Sequence, residues 1–376
     1  MAPTQDTPAE ALAVPGWLLA LALCGLAAAV VALVAASRTP RLAGQGWRLW
    51  LAPALSAGVG ALYGVLLRTT FSNGELLAVM TLAFLSGVPF AMGVLSIALL
   101  RPAPRAAWGA PEPGEPPPRE HPSWSTALLL PWASVAIAVS ITLFTGHEGV
   151  ICALMALPLM LGSASAGGAL ALIARSMSSR AMGIAAVGSA LLPLGAARLE
   201  QSTPPPLELR TTRNTIDIEA SSAAVWREIA RVRAIDPADL PWRVSHLFGF
   251  PRPIEATLSH EGVGATRKAS FERGLVFTET VTTWEPLARL AFTIVADPVP
   301  PEALDEHVTI GGPYFDVLEG EYRLEVLAPD RVRLHLSSEH RLSTRFNAYA
   351  GWWSDLVMSD IQGAILEVVK ARAEAR

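Results

Sequence analysis

The residues of this sequence best suited to chemistry are Arg267 and Glu279, which lie in two neighbouring strand-like segments, 265–271 and 275–284. The three residues between these segments, 272–274, end in a glycine and are typical of a tight hairpin turn. Counting outward from the turn places Arg267 opposite Glu279, with both side chains on one face. The other residues of that face are apolar or small: Ala269, Phe271, Leu275, Phe277 and Val281. We therefore predict a charged cross-strand pair on the inner face of the sheet.

An inward pair of Arg267 and Glu279 is compatible with three roles. It could anchor the polar end of a ligand in an otherwise apolar pocket. Glu279 could act as a general acid or base if burial raises its pKa. The pair could also be purely structural, because burying one charge without the other is strongly unfavourable. The pattern leaves these three roles open.

Two later strand-like segments, 321–328 and 331–340, add further candidates. Strand alternation places Tyr322 and Leu334 on the inner face. His340 falls on the same face by parity, at the end of its segment, and is the second candidate for an acid or base. A histidine in this position could equally be a core residue or a residue at the rim of a pocket.

The chain ends in a long amphipathic segment, about 344–373, whose apolar residues recur with the period of a helix. Tyr349 and Trp353 lie four residues apart, so they share one face of this helix. The predicted ligand-binding residues are Arg267, Glu279, Phe277, Tyr322, Leu334, Tyr349 and Trp353. The other histidines show no metal-ligand spacing, so the sequence predicts neither a metal site nor a cofactor.

The composition of the chain changes near residue 200. Residues 1–200 hold 10 Arg, no Lys and 8 acidic residues, too few charges for the surface of a soluble domain. The remainder is charged like an ordinary globular domain, with an excess of acidic residues. An acidic domain does not favour nucleic-acid binding, which needs a basic face.

Six apolar stretches in the first part approach the roughly 20 residues needed to cross a bilayer. The predicted spans are 15–36, 47–67, 76–100, 127–144, 150–174 and 181–197, the last being short. A proline-rich loop, 101–122, separates the third from the fourth. Closely spaced small residues, Gly60 with Gly64 and the run 162–168, suit helix–helix contact. The first 200 residues are therefore predicted to form a multi-pass transmembrane domain.

The arginines of the loops predict how this domain is oriented. The loops after the first, third and fifth spans hold most of the arginines, so these loops are expected to face the cytoplasm. If all six stretches span the membrane, the C-terminal domain is extracytoplasmic. If the short sixth stretch does not span, the domain is cytoplasmic. We favour six spans.

Residues 207–376 are predicted to form a separate soluble domain, in which a strand and short helices precede about six antiparallel strands and the long helix. This order, with the stretches 218–229 and 277–286 and the terminal helix, resembles the START-like (SRPBCC) superfamily of polyketide cyclases, dehydrases and lipid-transfer proteins. The resemblance implies a helix-grip fold of the α+β class, with a curved antiparallel sheet around the helix and a hydrophobic ligand pocket. It implies no catalytic residue.

The preferred functional interpretation is a membrane-anchored protein that binds a hydrophobic or amphipathic small molecule, such as a lipid, in its C-terminal domain. Its expected partners are the lipid bilayer and that ligand, with no nucleic acid, and no oligomeric state is favoured. One alternative is a cyclase or dehydrase type of enzyme that uses Glu279 or His340 as acid or base. Another is a transporter or sensor whose helices are coupled to the soluble domain, although the interiors of the spans contain no charged residue of the kind that marks an ion path.

Overall fold

A computed structural model gives the fold, and it describes residues 48–71, 80–100, 122–146, 148–300, 303–304 and 309–375. The chain divides into two units, of which the first is helical and the second contains the sheet. The second unit consists of Ala197–Arg376 with two short segments, Ala78–Leu82 and Glu148–Leu157. The predicted first span, 15–36, and residues 101–121 of the proline-rich loop lie outside the described residues.

Long apolar helices make up the first unit. Helix α1 is Arg48–Phe71, a π-helical turn at Ala83–Gly87 leads into α2 at Val88–Leu99, α3 is Trp124–Phe144, α4 is Val150–Met177 and α5 is Ser179–Gln201. Among the described residues, three helices, α3, α4 and α5, are long and apolar enough to cross a membrane. Two other apolar stretches, Ala54–Thr69 and Ala83–Leu99, are shorter. These helices indicate membrane association, while the number of spans stays a prediction.

Glycines allow the helices of the first unit to approach one another closely. A Cβ atom added at Gly168 of α4 would lie 1.9 Å from the carbonyl oxygen of Ala127 in α3. A Cβ atom added at Gly167 would lie 2.0 Å from the carbonyl oxygen of Phe90 in α2. The backbones therefore touch at these points, as they do where small residues mediate packing in membrane helices.

Polar side chains also join these helices. The hydroxyl groups of Ser96 in α2 and Ser134 in α3 are hydrogen-bonded at 2.7 Å in the interior of the unit. Arg175 of α4 donates to the carbonyl oxygens of Ile97 and Leu100, at 2.7 and 2.5 Å. These carbonyls are at the C-terminus of α2, where a helix lacks backbone donors and favours a positive charge.

Seven antiparallel strands form one sheet in the second unit, in the order β1-β7-β6-β5-β4-β3-β2. The strands are β1 Glu208–Ile218, β2 Pro253–Leu258, β3 Thr266–Phe271, β4 Val276–Glu285, β5 Arg289–Ala296, β6 Phe315–Ala328 and β7 Arg331–Leu342. Strand β6 begins at Phe315 and not at the predicted residue 321. Register shifts within the β2–β3, β4–β5 and β6–β7 pairings bend the sheet.

Two short helices follow β1. Helix α6, Ser222–Ala230, begins after Ser221, whose hydroxyl group accepts the backbone N–H of Ala224. Serine is a preferred residue at this position, because its hydroxyl group satisfies a backbone N–H of the first helical turn. Helix α7 is a single turn at Val244–Leu247, and Asp360 accepts its Ser245 N–H at 2.7 Å.

The long C-terminal helix, α8 at Asn347–Glu374, packs on β1 and β7. Polar contacts fix its position, since Asn214 of β1 donates to the carbonyl oxygen of Ser359 at 2.6 Å. At the other end, Lys370 donates to the carbonyl oxygen of Asp217 at 2.6 Å. A curved antiparallel sheet held against a long C-terminal helix fits the predicted helix-grip fold.

Candidate functional site

A cavity of about 150 Å³ lies in the second unit, lined by the strands and by helix α8. A buried water needs only about 10–15 Å³ on a comparable measure, so this space can hold a small organic molecule. Most of its lining is apolar. The strands contribute Ala256, Ala269, Phe277, Phe292, Ile294 and Leu336, among others, and the helix contributes Met358, Ile361 and Ile365.

Arg267 and Glu279 lie on the wall of this cavity and face each other across β3 and β4. This pairing confirms the predicted register of the hairpin, whose turn is closed by the Phe271 N–H donating to the carbonyl oxygen of Leu275 at 2.7 Å. The Arg267 Nη1 donates to the Glu279 carboxylate in a direct ion pair. Both residues are almost fully buried, at 3% and 6% exposure. The ion pair is therefore part of the interior of the domain and not of its surface.

The remaining contacts of the Arg267 guanidinium are weaker. Its Nη2 donates to the carbonyl oxygen of Ile229 at 3.4 Å. Its central carbon lies 5.3 Å from the centre of the Phe292 ring and 5.9 Å from that of Tyr322, within the range of cation–π attraction. Its Nε is buried without a hydrogen-bond partner among the described residues. One donor of Arg267 thus remains available.

Burial and ion pairing shift the pKa values of Arg267 and Glu279 in opposite directions. Burial raises the pKa of the Glu279 carboxyl above its ordinary value, although the neighbouring Arg267 acts to lower it. Burial acts to lower the pKa of Arg267, but Glu279 and Tyr322 together outweigh this and raise it. Burial also raises the pKa of the Tyr322 phenol beside them. Glu279 is therefore a carboxyl group that takes up a proton more readily than one in water.

A second polar group lines the cavity and was not among the predicted site residues. Gln362 of α8 is 3% exposed, and its Nε2 donates to the hydroxyl of Ser338 in β7 at 2.9 Å. Ser338 shares the inner face of β7 with Leu334 and His340, because side chains alternate along a strand. Gln362 lies four residues after Met358 and beside Ile361, both of which line the cavity, but helical spacing alone does not show that a cavity lies beside this part of the helix.

Four of the predicted site residues, Arg267, Glu279, Phe277 and Tyr322, line the cavity together. Leu334 lies outside this lining, fully buried in the core between Ile216 of β1 and Leu324 of β6. Core side chains fill the space against this part of the sheet, so the cavity lies along only part of the inner face. Inward parity therefore places a residue on the correct face without placing it beside the cavity.

Tyr349 and Trp353 also lie outside the cavity lining. The lining residues of α8 begin at Met358, more than one helical turn beyond Trp353. Trp353 is buried against the rings of Trp352 and Phe248, with ring centres 4.8 and 5.6 Å apart. Tyr349 is half-buried in the first turn of the helix.

His340 points inward as parity predicted and is fully buried, but it too lies outside the cavity lining. Its Nε2 lies 3.1 Å from the hydroxyl of Ser354, which itself donates to the carbonyl oxygen of Gly351 at 3.0 Å. Since the Ser354 proton is used there, the Nε2 of His340 is the donor. Burial lowers the pKa of His340, with Asp355 acting in the opposite direction. The described residues contain no group of three or more His, Cys, Asp or Glu arranged to hold a metal ion.

Comparison with known proteins gives likenesses among solved structures only. A scan against protein-family models and a search of curated proteins both give no match. An aromatase/cyclase from a Streptomyces species is 18% identical, with a TM-score of 0.30, and the match covers 45% of this chain and 96% of that one. Norcoclaurine synthase from Thalictrum flavum is 10% identical, with a TM-score of 0.29 and coverage of 45% and 95%.

An uncharacterised protein from Rhizobium leguminosarum is 14% identical, with a TM-score of 0.29, and the match covers 46% of this chain and all of that one. All three matches span less than half of this chain and nearly the full length of the other protein. At such low identities and TM-scores, they carry no conclusion about what this chain binds or does.

Proposed function

We propose that the second unit binds a hydrophobic or amphipathic small molecule in the cavity between its sheet and helix α8. The observation that carries this proposal is an apolar cavity of about 150 Å³ with a buried ion pair on its wall. Small-molecule sites commonly combine a mainly apolar lining with a few fixed polar groups. Arg267 and Glu279 orient the polar part of the ligand, and Phe277 and Tyr322 form part of the apolar wall.

The first unit holds this binding domain at a lipid bilayer. Support comes from the three described helices, α3, α4 and α5, that are long and apolar enough to cross a membrane. An apolar ligand is poorly soluble in water and concentrates in membranes. A binding domain anchored there meets its ligand at a high local concentration.

The test is to identify small molecules that co-purify with the full-length chain in a mild detergent, by organic extraction and mass spectrometry. The informative variant is Ala269→Leu, because Ala269 lines the cavity and a larger side chain there reduces the space. The matched control is Ala371→Leu, which makes the same change at an exposed position of α8. We expect a molecule present with the wild type and the control and depleted in Ala269→Leu. Identical extracts from all three proteins would contradict the proposal.

A second candidate function is an acid–base enzyme of the cyclase or dehydrase type. The observation favouring it is that Glu279 lines the cavity and that burial raises the pKa of its carboxyl, the direction that favours a general acid. The test is turnover of an aromatic polyketide-like substrate by the full chain across a range of pH. Enzyme function requires turnover by the wild type that is lost in Glu279→Gln. Equal turnover by the two proteins would exclude Glu279 as the catalytic group.

A further inference from the structure

The orientation of the Gln362 amide can be assigned from its neighbours. Its Nε2 lies 3.4 Å from the backbone carbonyl oxygen of Thr212, which can only accept a hydrogen bond. The amino group must therefore face Thr212 and Ser338. The amide oxygen, Oε1, is left buried and without a partner among the described residues. Gln362 consequently offers one buried hydrogen-bond acceptor on a side chain that lines the cavity.

Arg267 offers the complementary group on the sheet side of the cavity. Its Nε–H is a donor, is buried, and has no partner among the described residues. Most buried polar atoms in folded proteins have a hydrogen-bond partner, and leaving one without a partner is unfavourable. A ligand that supplies an acceptor to the Arg267 Nε–H and a donor to the Gln362 Oε1 gives both buried atoms a hydrogen-bond partner.

The charge of the lining restricts the ligand further. Among the described residues that line the cavity, the charged side chains are Arg267, Glu279 and Glu255. Arg267 is already paired with Glu279, and Glu255 is half-exposed. No lining cation in the described part is therefore left to neutralise an anionic ligand, and a buried charge without a counter-charge is strongly disfavoured.

We infer that the cavity selects an uncharged, mainly apolar molecule whose hydroxyl group donates to Gln362, and that it disfavours carboxylates and phosphates. This inference rests on the proposed binding function and narrows its ligand class. It separates uncharged ring alcohols and phenols from fatty acids and anionic phospholipids. Gln362 is then the residue that selects a ligand with a hydroxyl group. Arg267, whose charge is already paired with Glu279, donates a hydrogen bond to the oxygen of the ligand.

Three probes with one ring system test the inference: 2-naphthol, 2-methylnaphthalene and 2-naphthoate. Their binding to the full-length chain in nanodiscs is measured by equilibrium dialysis. The uptake of each probe by empty nanodiscs is measured separately and subtracted, because the probes also partition into lipid. We expect 2-naphthol to bind about 10-fold more tightly than 2-methylnaphthalene, because it satisfies a buried acceptor. We expect 2-naphthoate to bind most weakly of the three.

The Gln362→Met variant removes the amide while keeping a side chain of similar length. It should bind 2-methylnaphthalene as well as the wild type does and lose the preference for 2-naphthol. The matched control is Met358→Leu, an apolar exchange on the same face of α8, which should keep that preference.

The wild-type order of the three probes decides the inference even if Gln362→Met fails to fold. Tightest binding of 2-naphthoate, or equal binding of 2-naphthol and 2-methylnaphthalene, would overturn the ligand class while leaving the binding function standing. Binding of all three probes no better than to empty nanodiscs would overturn the binding function itself.

Discussion

Arg267 and Glu279 occupy directly opposed positions on β3 and β4, and their side chains form an ion pair that is almost completely removed from water. In this position each charge is tolerable because the other is present. The pair therefore makes the wall of the cavity sensitive to any change of one partner alone, whatever the ligand.

The first prediction concerns this dependence. Glu279→Gln leaves the Arg267 charge buried without a counter-charge, so it should lower the free energy of unfolding by about 3–5 kcal/mol. Replacing both residues, as in Arg267→Met with Glu279→Leu, should be neutral or up to about 4 kcal/mol stabilising. Urea unfolding of the full chain, followed by tryptophan fluorescence, to which the buried Trp226 contributes, measures both effects.

The Arg289–Glu321 pair is the matched control. These residues form an ion pair from diagonal positions on the neighbouring strands β5 and β6, but their side chains are 44% and 31% exposed. Glu321→Gln should therefore change stability by only about 0–1 kcal/mol. A double replacement at 267 and 279 that is as damaging as Glu279→Gln would show that the pair stabilises the fold by more than mutual neutralisation.

Much of this hairpin could be predicted from the sequence, and the reason is local. The turn ending at Gly274 fixes the register, and alternation then fixes which side chains share a face. The start of β6 could not be found in this way, because Gly320 interrupts the strand pattern. A glycine is needed at this position because of a tertiary contact: a Cβ atom at Gly320 would lie 2.5 Å from the ring of Phe292.

The positions of Tyr349, Trp353 and Leu334 show a second limit of the sequence. Periodicity tells which face of a helix or strand a residue occupies, but not how far along that face an internal cavity extends. The lining of α8 runs from Met358 to Ile365, whereas Tyr349 and Trp353 belong to earlier turns. Gln362 lies within the correct interval, and only the packing of α8 on β7 identifies it.

The second prediction concerns pH. His340 is fully buried and has a pKa below its ordinary value of about 6.5, caused first by burial, with Asp355 and Glu208 raising it and Arg210 lowering it. The unfolded chain therefore binds a proton that the folded chain resists, and stability should fall as the pH drops from about 7 to about 5. Urea unfolding at several pH values measures this slope.

The variant His340→Gln removes this titration and should flatten the decline. Part of the slope should remain, because burial lowers the pKa of His246 as well. The expected comparison is between slopes and not between absolute stabilities, since the variant also loses the hydrogen bond to Ser354. An unchanged slope in the variant would mean that His340 has the same pKa in the folded and the unfolded chain.

The third prediction concerns the first unit. Gly168→Ala should destabilise the helices, because the added Cβ would lie 1.9 Å from the carbonyl oxygen of Ala127 and would force α3 and α4 apart. Overpacking of this kind costs about 1–3 kcal/mol. The control is Gly162→Ala in the same helix, where nothing lies within 4 Å of the added atom. It should be neutral or stabilising by up to about 1 kcal/mol through helix propensity.

Thermal stability in detergent, read as the fraction of monodisperse protein after heating, distinguishes the two glycine variants. Gly168→Ala should lose monodispersity at a lower temperature than the wild type, and Gly162→Ala should not. Equal stability of the two variants would mean that the close approach at Gly168 does not hold in the protein in its membrane-like environment.

The last prediction concerns the side of the membrane on which the binding domain lies. The three described helices that are long and apolar enough to cross, α3, α4 and α5, all lie between the proline-rich loop and strand β1. An odd number of crossings places the two ends of this region on opposite sides, whatever precedes residue 101. Paired fusions, in the loop after Pro117 and at Arg376, should therefore report opposite compartments, with the arginine-containing loop in the cytoplasm. If both fusions report the cytoplasm, an even number of these helices crosses, and the ligand of the cavity must be sought among cytoplasmic molecules.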